Sequence, residues 1–242
     1  MRILALDTAT RATSVALVDT ATGVVAEARD DPPAGLRPRH TTHLLTLIAE
    51  VVDQGGGWGA VDRIAVGVGP GTFTGLRIGI ATAQALARAR QIPLVGISTL
   101  ASLALGATPC ANASVGQIVV AVIDARRGEV FAAAWSPAAF AQTPASEPLL
   151  APAPLAPEAL VQAIGELGSP GLAVGDGAVE FRPVLEASGA TIPDRDSNLH
   201  RVDARHHAHL AVGADPKPGA GVHPEYLRLP DAELSLRAAQ KR

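Results

Sequence analysis

Two aspartates in this 242-residue chain each close an apolar run that reads as a strand: Asp7 after Arg2–Leu6, and Asp124 after Gln117–Ile123. A carboxylate placed there can organise a cation, or it can accept hydrogen bonds from the backbone that follows, which is the ordinary work of aspartate in a turn. Near them in sequence stand Thr8, Thr10 and Arg126, and a third turn, Gly175-Asp176-Gly177-Ala178, ends a further strand. The longest motif is Gly69-Pro70-Gly71-Thr72-Phe73-Thr74-Gly75-Leu76-Arg77-Ile78-Gly79, which leaves the β-rich run Ile64–Val68 and enters a long alanine-rich stretch. It reads as a strand-to-helix turn. Its glycines permit close approach of another backbone, and Thr72 and Thr74 can cap the exposed amides of a helix start that attracts anions. Two readings stay open for it: a tight connection between strand and helix, or a receptor for a phosphate or a partner's backbone. Neither GxxxxGK[ST] nor GxGxxG is present, so the P-loop and the dinucleotide fingerprint are excluded.

Metal and nucleophile chemistry find little support. His40 and His43 stand three apart, a spacing that can share a metal on a helix. They fall at a helix start beside Arg37 and Arg39, an unfavourable field for a cation, and a solvated helix start is expected. His206, His207 and His209 are expected to face solvent, and no metal site is expected. Cys110 falls in an expected linker, and no serine stands in a nucleophile elbow, so a peptidase has no mechanism here.

The elements that must position these groups follow from composition and pattern. Hydrophobic residues make up 48% of the chain, enough for a large core, and the net charge is −3. Without a basic surplus, and with aromatics at 3%, direct tight RNA binding is disfavoured. One cysteine excludes an internal disulfide and suits a reducing compartment. The apolar start is cut short by Asp7 and no run is long enough to span a bilayer, so a soluble cytoplasmic protein is expected.

Arg2–Leu6, Ser14–Val18 and Val24–Arg29 read as a meander of three strands, followed by a loop over Asp30–Pro38. Thr41 or Thr42 can cap a helix to Gln54 with Leu44, Leu47, Ile48 and Val51 on one face; Leu45 and Val52 widen its apolar arc to roughly 160°, more than one sheet requires. The helix from Gly75 to Arg90 carries Gly75, Gly79, Ala83 and Ala87 four apart, and packing of another element on that face would offset the cost of its glycines. Strand Leu94–Ile97 and a short helix from Ser98 to Leu105 complete a first unit, and Thr108–Gly116 reads as a connector. A second unit repeats the order: hairpin Gln117–Ile123 and Glu129–Trp135, a weak strand near Glu147–Leu150, helix Pro157–Glu166, strand Gly171–Val174, helix Val179–Ala187 and a last helix over Asp203–Val212. The whole is an internal duplication of β-β-β-α-β-α units.

Such a duplication resembles the actin, sugar-kinase and Hsp70 superfamily, and implies an α/β actin-like/Hsp70-like ATPase (ASKHA) fold. The implied domains are residues 1–107, residues 108–215, and a segment 216–242 that returns to the first domain and ends in a disordered tail. In that superfamily the hairpin loops grip phosphates and the strand-end acids hold Mg²⁺. The resemblance therefore implies a nucleotide cleft of Asp7, Thr8, Thr10, Asp124, Arg126, Gly175 and Gly177.

Asp7-Thr8-Ala9-Thr10, the Gly69–Gly79 turn, Ile123-Asp124-Ala125-Arg126-Arg127-Gly128-Glu129-Val130 and Pro224-Glu225-Tyr226-Leu227-Arg228 are together similar to the bacterial TsaB family, formerly YeaZ. That resemblance spans about Arg2 to Arg228 and implies a non-catalytic subunit of the machinery that installs N6-threonylcarbamoyl on adenosine 37 of ANN-decoding tRNAs. The implied partners are the catalytic paralogue TsaD as a heterodimer, the ATPase TsaE, tRNA through the complex alone, and a second copy of the chain when TsaD is missing; no membrane is implied. The family contact is a four-helix bundle of the first two helices of each paralogue, here formed by Leu44, Leu45, Leu47, Ile48, Val51, Gly75, Leu76, Gly79, Ile80 and Ala83. No cofactor of the chain's own is implied, ATP or ADP with Mg²⁺ at the cleft or the complex interface being the alternative. A competing function is an ATP-binding or ATP-hydrolysing enzyme of the superfamily, with Asp7 and Asp124 on the metal.

Overall fold

The computed structural model describes residues 1–33, 35–111, 117–138, 147–168, 171–216 and 221–228. Strands β1 (Arg2–Asp7), β2 (Thr13–Asp19) and β3 (Gly23–Asp30) form the expected meander, and β4 (Arg63–Gly69) and β5 (Leu94–Ser98) extend it in parallel. The sheet order is β3-β2-β1-β4-β5. A second sheet holds β6 (Ile118–Arg126), β7 (Glu129–Trp135), β8 (Leu150–Leu155) and β9 (Gly171–Val174) in the order β8-β7-β6-β9, which repeats the first four positions of the first sheet. The duplication read from the sequence is thus present in the strand order.

Alternation along β1 explains the layering. Leu4 and Leu6 face α1 (His40–Gln54) and α2 (Phe73–Arg90), while Ile3 and Ala5 face the opposite way into a core shared with the second sheet. That shared core holds α3 (Thr99–Ala111) and α7 (Ala204–Ala211) between the sheets. The outer face of the second sheet is covered by α4 (Pro157–Glu166), α5 (Asp176–Glu180) and α6 (Arg182–Glu186).

Several boundaries differ from expectation for identifiable reasons. Neither threonine caps α1, which begins at His40; Thr42 Oγ1 instead donates to Arg39 O at 3.0 Å. Thr72 occupies the N-cap position of α2 without a side-chain cap, and Thr74 is already helical. α3 runs past Leu105 through Pro109, so Thr108–Ala111 is helix rather than connector. Leu100, Leu103, Ala104, Ala107 and Ala111 keep one buried stripe between the sheets, and that burial outweighs the roughly 3 kcal/mol cost of an interior proline. The remainder of the expected connector, residues 112–116, lies outside the described residues. β8 falls later than expected and runs through Pro152 and Pro154, which an edge strand tolerates. The expected helix over Val179–Ala187 is divided at Phe181, where Pro183 has no amide to continue the ladder.

Residues 221–228 lie across both halves. Glu225 N donates to Val68 O at 2.8 Å, Gln84 Nε2 donates to Val222 O at 2.7 Å, and Leu227 packs against the shared core. Arg228 pairs with Glu129 of the second sheet at 2.8 Å. The expected tail from Asp231 lies outside the described residues.

Candidate functional site

The turn of Gly69–Gly79 is organised around the first hairpin. Thr72 N donates to Ala9 O at 2.7 Å and Thr8 Oγ1 donates to Gly75 O at 2.7 Å. A Cβ at Gly75 would overlap the Thr8 carbonyl, one at Gly71 the Ala9 backbone, and one at Gly79 the Thr8 hydroxyl. Gly75 and Gly79 of α2, with Gly71 before the helix, are therefore the seat of the loop Asp7-Thr8-Ala9. Of the two readings of this turn, close packing within the chain explains its glycines.

Asp7 sits under that loop and is 2% exposed. Its Oδ1 accepts from Ala9 N at 2.9 Å, and its Oδ2 lies 3.1 Å from His207 Nε2 on α7. Gly67 leaves the room for this pair, since a Cβ there would strike both side chains. His207 Nδ1 is hydrogen-bonded to Ser102 Oγ at 2.7 Å, and Ser102 Oγ also donates to Asp203 O. With its proton donated to Asp203 O, Ser102 Oγ accepts from His207 Nδ1, and the acid lies at Nε2, the reverse of a hydrolytic triad. Ser102 and His207 are fully buried, so the hydroxyl meets no solvent and the series acts as an internal brace.

In the second hairpin Asp124 Oδ1 accepts from Arg126 N and Oδ2 from the Arg126 guanidinium, both at 2.7 Å. Asp124 N donates to Asp176 Oδ1 at 3.0 Å. Burial pushes the Asp176 carboxyl above the ordinary aspartate range, against the pull of that amide. Gly175 and Gly177 pack on the end of β6, where a Cβ would meet the Val122 carbonyl and the Asp124 amide. Thr8 is buried, and Thr10 is half-buried at the hairpin tip.

The expected partner residues on α1 and α2 differ in depth within the chain. Leu44, Ile48, Val51, Gly75, Leu76, Gly79, Ile80 and Ala83 are all buried inside the chain, holding the helices to the first sheet and to the Asp7 loop. Leu45 is 62% exposed and Leu47 half-buried, and these alone of the ten reach the outside. The other exposed positions of α1 are Thr41, Thr42, Thr46, Ala49, Glu50, Asp53 and Gln54, and α2 exposes Thr74, Arg77, Ala81, Ala85 and Arg88 besides Phe73 and its last two residues. Phe73, 41% exposed, stacks on Tyr226 with ring centroids 5.2 Å apart, and the Arg77 guanidinium lies 5.1 Å over its ring. The over-wide arc of α1 is real, but it divides into an inner face and one outward leucine.

Comparison with known proteins places the chain. The solved structure of YeaZ from Pseudomonas aeruginosa superposes with a TM-score of 0.71 at 30% identity, covering 93% of this chain and 100% of that one. The chain belongs to the TsaB/YeaZ family. The family profile for TsaD, tRNA N6-adenosine threonylcarbamoyltransferase, matches residues 31–143. The tRNA threonylcarbamoyladenosine biosynthesis protein TsaB of Escherichia coli is 42% identical over 133 residues, 54% of this chain and 53% of that protein. The chain therefore matches about half the length of that curated relative. A ROK hexokinase from Thermus thermophilus, at 12% identity and a TM-score of 0.50 over 88% of this chain and 99% of that one, shares the fold.

For this TsaB/YeaZ chain the histidines are placed differently from expectation. His40 is buried rather than solvated, its Nδ1 bonded to Thr13 Oγ1 at 2.8 Å, and burial pushes its pKa down. His43 faces Asp30 at 3.4 Å. His207 is interior and His206 packs on Gly106, whereas His209 faces out. Burial pushes His206 down to about 4. Among the described residues no three His, Cys, Asp or Glu side chains gather as a metal site. The signal for His207 was present: Ala204, His207, Ala208 and Ala211 stand at i, i+3, i+4 and i+7, the spacing of a buried stripe. Cys110 is exposed on α3 rather than in a linker.

Proposed function

We propose that this chain is a subunit of the machinery that makes threonylcarbamoyladenosine in tRNA, acting by holding a TsaD paralogue and carrying no transfer chemistry of its own. The single observation behind the partner role is Leu45 on α1, 62% exposed, with Thr41, Thr42 and Ala49 next to it on the helix face and the charges of Glu50 and Asp53 toward the C-terminal end. Uncharged side chains of this kind give up little hydration on docking. A second copy of the chain takes the same face when the paralogue is missing. The complex, and not this chain alone, meets tRNA and the ATPase subunit TsaE, in keeping with the net charge of −3.

The lack of chemistry is argued from the hairpins. In the fold family the strand-end acids face a magnesium nucleotide, and the side chains here are a poor fit for it. Asp7 is closed under its own loop beside His207, and the small-residue face of α2 fills the space against Thr8 and Ala9. Asp124 is held by Arg126.

Leu45→Arg tests the reading. The variant is expected to keep its melting temperature, lose co-elution with the TsaD paralogue, and lose support of tRNA modification in a reconstituted mixture. Undiminished co-elution overturns the assigned surface. Micromolar Mg-ATP binding by the chain alone, with turnover removed by Asp124→Ala, overturns the non-catalytic role in favour of the nucleotide enzyme.

A further inference from the structure

Away from both hairpins a cavity of about 270 Å³ opens between the end of β3, the middle of α3 and the first turn of α7. At roughly 30 Å³ per water it would hold about nine waters, more than a packing defect and less than most drug-sized pockets. None of its lining residues belongs to the hairpin loops described above.

Its lining is of two kinds: Leu103, Leu199 and the bare backbone of Gly106 are apolar, while Arg29, Arg201 and Arg205 are cationic, with Asn198, Asp203 and His206 beside them. We infer that the cavity binds a small organic oxyanion, a phosphate or carboxylate on a short apolar body, with the body against the leucines and the oxygens on the guanidinium forks.

The arginines keep donors for such a ligand. Arg29 uses Nε on Asp31 and one terminal nitrogen on Val202 O. Arg205 uses Nε and one terminal nitrogen on Asp203. Arg201 approaches Asp31 only at 3.7 Å. Each guanidinium has five N–H donors in a planar fork, so among the described residues each retains unused ones. Asp31, Glu27 and Asp203 lie against the same guanidiniums, Asp31 and Glu27 half-exposed like Arg201 and Arg205, and Asp203 bound by the Arg205 amide and guanidinium. An anion inside the cavity would therefore be held by the guanidinium N–H donors that these carboxylates leave unused, and not by a net positive field.

Gly106 keeps the cavity open: a Cβ there would stand 2.5 Å from the His206 ring, so only glycine lets the ring lie back. The ring lines the cavity with its Nδ1 closed off toward Gly106.

The test is titration of the full chain at low salt with phenyl phosphate, benzoate, inorganic phosphate and benzyl alcohol, read by calorimetry and by the His206 ring resonances. Saturable binding of phenyl phosphate or benzoate with Kd near or below about 1 mM, at least tenfold tighter than benzyl alcohol, is expected, and the tighter of the two acids fixes the head group. Inorganic phosphate, lacking the apolar body, is expected to bind at least tenfold more weakly. Arg201→Gln, a change at a half-exposed side chain that leaves the fold intact, is expected to weaken binding about tenfold. Absence of saturation for both acids overturns the inference. So does saturable binding that leaves His206 unmoved and Arg201→Gln unaffected, which is an ion held elsewhere.

Discussion

His207 Nε2 stands 3.1 Å from Asp7 Oδ2 in the interior of the molecule, joining the end of β1 to α7. The same histidine reaches Ser102 on α3, so one side chain ties the first sheet to both helices that lie between the sheets. The acid that ends β1 is thus part of an interior contact series. His207→Ala is expected to destabilise the chain by about 1–3 kcal/mol, the cost of leaving the buried Ser102 hydroxyl without its partner, measured by urea unfolding. Asp7→Asn combined with it in a double-mutant cycle is expected to show coupling above about 1 kcal/mol, and additive losses would mean that the contact carries no energy.

The glycines of α2 give a second prediction, because helix propensity and packing disagree in sign. Gly75→Ala ought to gain about 0.5–1 kcal/mol as a helix substitution, yet its Cβ falls on the Thr8 carbonyl. A net loss of about 1–3 kcal/mol in urea titration is expected, as for other overpacked sites. Gly165→Ala on α4 is the control: nothing lies near its Cβ, and the full propensity gain is expected.

These glycines also mark how far the sequence could be read. Their spacing showed that something packs closely on α2, but spacing carries no address. Whether the visitor was another subunit or the chain's own Asp7 loop depended on how β1 and β4 pair, a contact between residues far apart in sequence. Strands and helices were legible because alternation and the 3.6-residue period are local, and the repeat of acid-ended hairpins revealed the duplication. Both strand-end aspartates were legible for the same reason. His40 and His207 were missed as interior groups because their partners, Thr13, Ser102 and Asp7, come from other elements. The cavity of Arg29, Arg201 and Arg205 had no sequence signal, since its walls converge from β3 and from residues around 200.

Burial separates two substitutions on the first helices that look alike in sequence. Ile80 is 4% exposed, so Ile80→Arg places a guanidinium in the core and is expected to leave no folded protein, by near-UV circular dichroism. Leu45→Arg reaches water and should stay within about 0.5 kcal/mol of the parent in urea unfolding. A folded Ile80→Arg would show that α2 is not seated as described.

Acid sensitivity follows from the buried histidines. His206 falls from an ordinary 6.5 to about 4 through burial, and His40 is lowered in the same way. Between those values the unfolded chain binds protons that the folded chain does not. Stability is therefore complete above about pH 6.5 and lost as pH falls toward 4, by about 3 kcal/mol at most from His206. Asp176 runs the other way: its raised pKa lets the folded chain keep a proton above 3.8, so it steadies the fold on the acid side and offsets part of the loss. Urea midpoints across this range are expected to fall with pH in the parent and to fall less in His206→Gln; an equal decline in both would remove His206 as the cause.

The C-terminal strap gives the last prediction. Residues 221–228 are tied to the first sheet through Glu225 and to α2 through Gln84, stack Tyr226 on Phe73, and reach Glu129 of the second sheet through Arg228. The ion pair is half-exposed, so Glu129→Gln should cost only about 0.5–1 kcal/mol. Tyr226→Ala removes an aromatic pair and the cover over the start of α2, and about 1–2 kcal/mol is expected. The informative readout is hydrogen exchange. Because Glu225 N bonds Val68 O beside the turn, loosening the strap should speed exchange of the Thr72 amide and the turn around it before global unfolding, while the amides of α4 stay unchanged. Uniform acceleration across α4 and the turn would instead mean that the strap adds only to global stability and does not hold the Gly69–Gly79 turn in place.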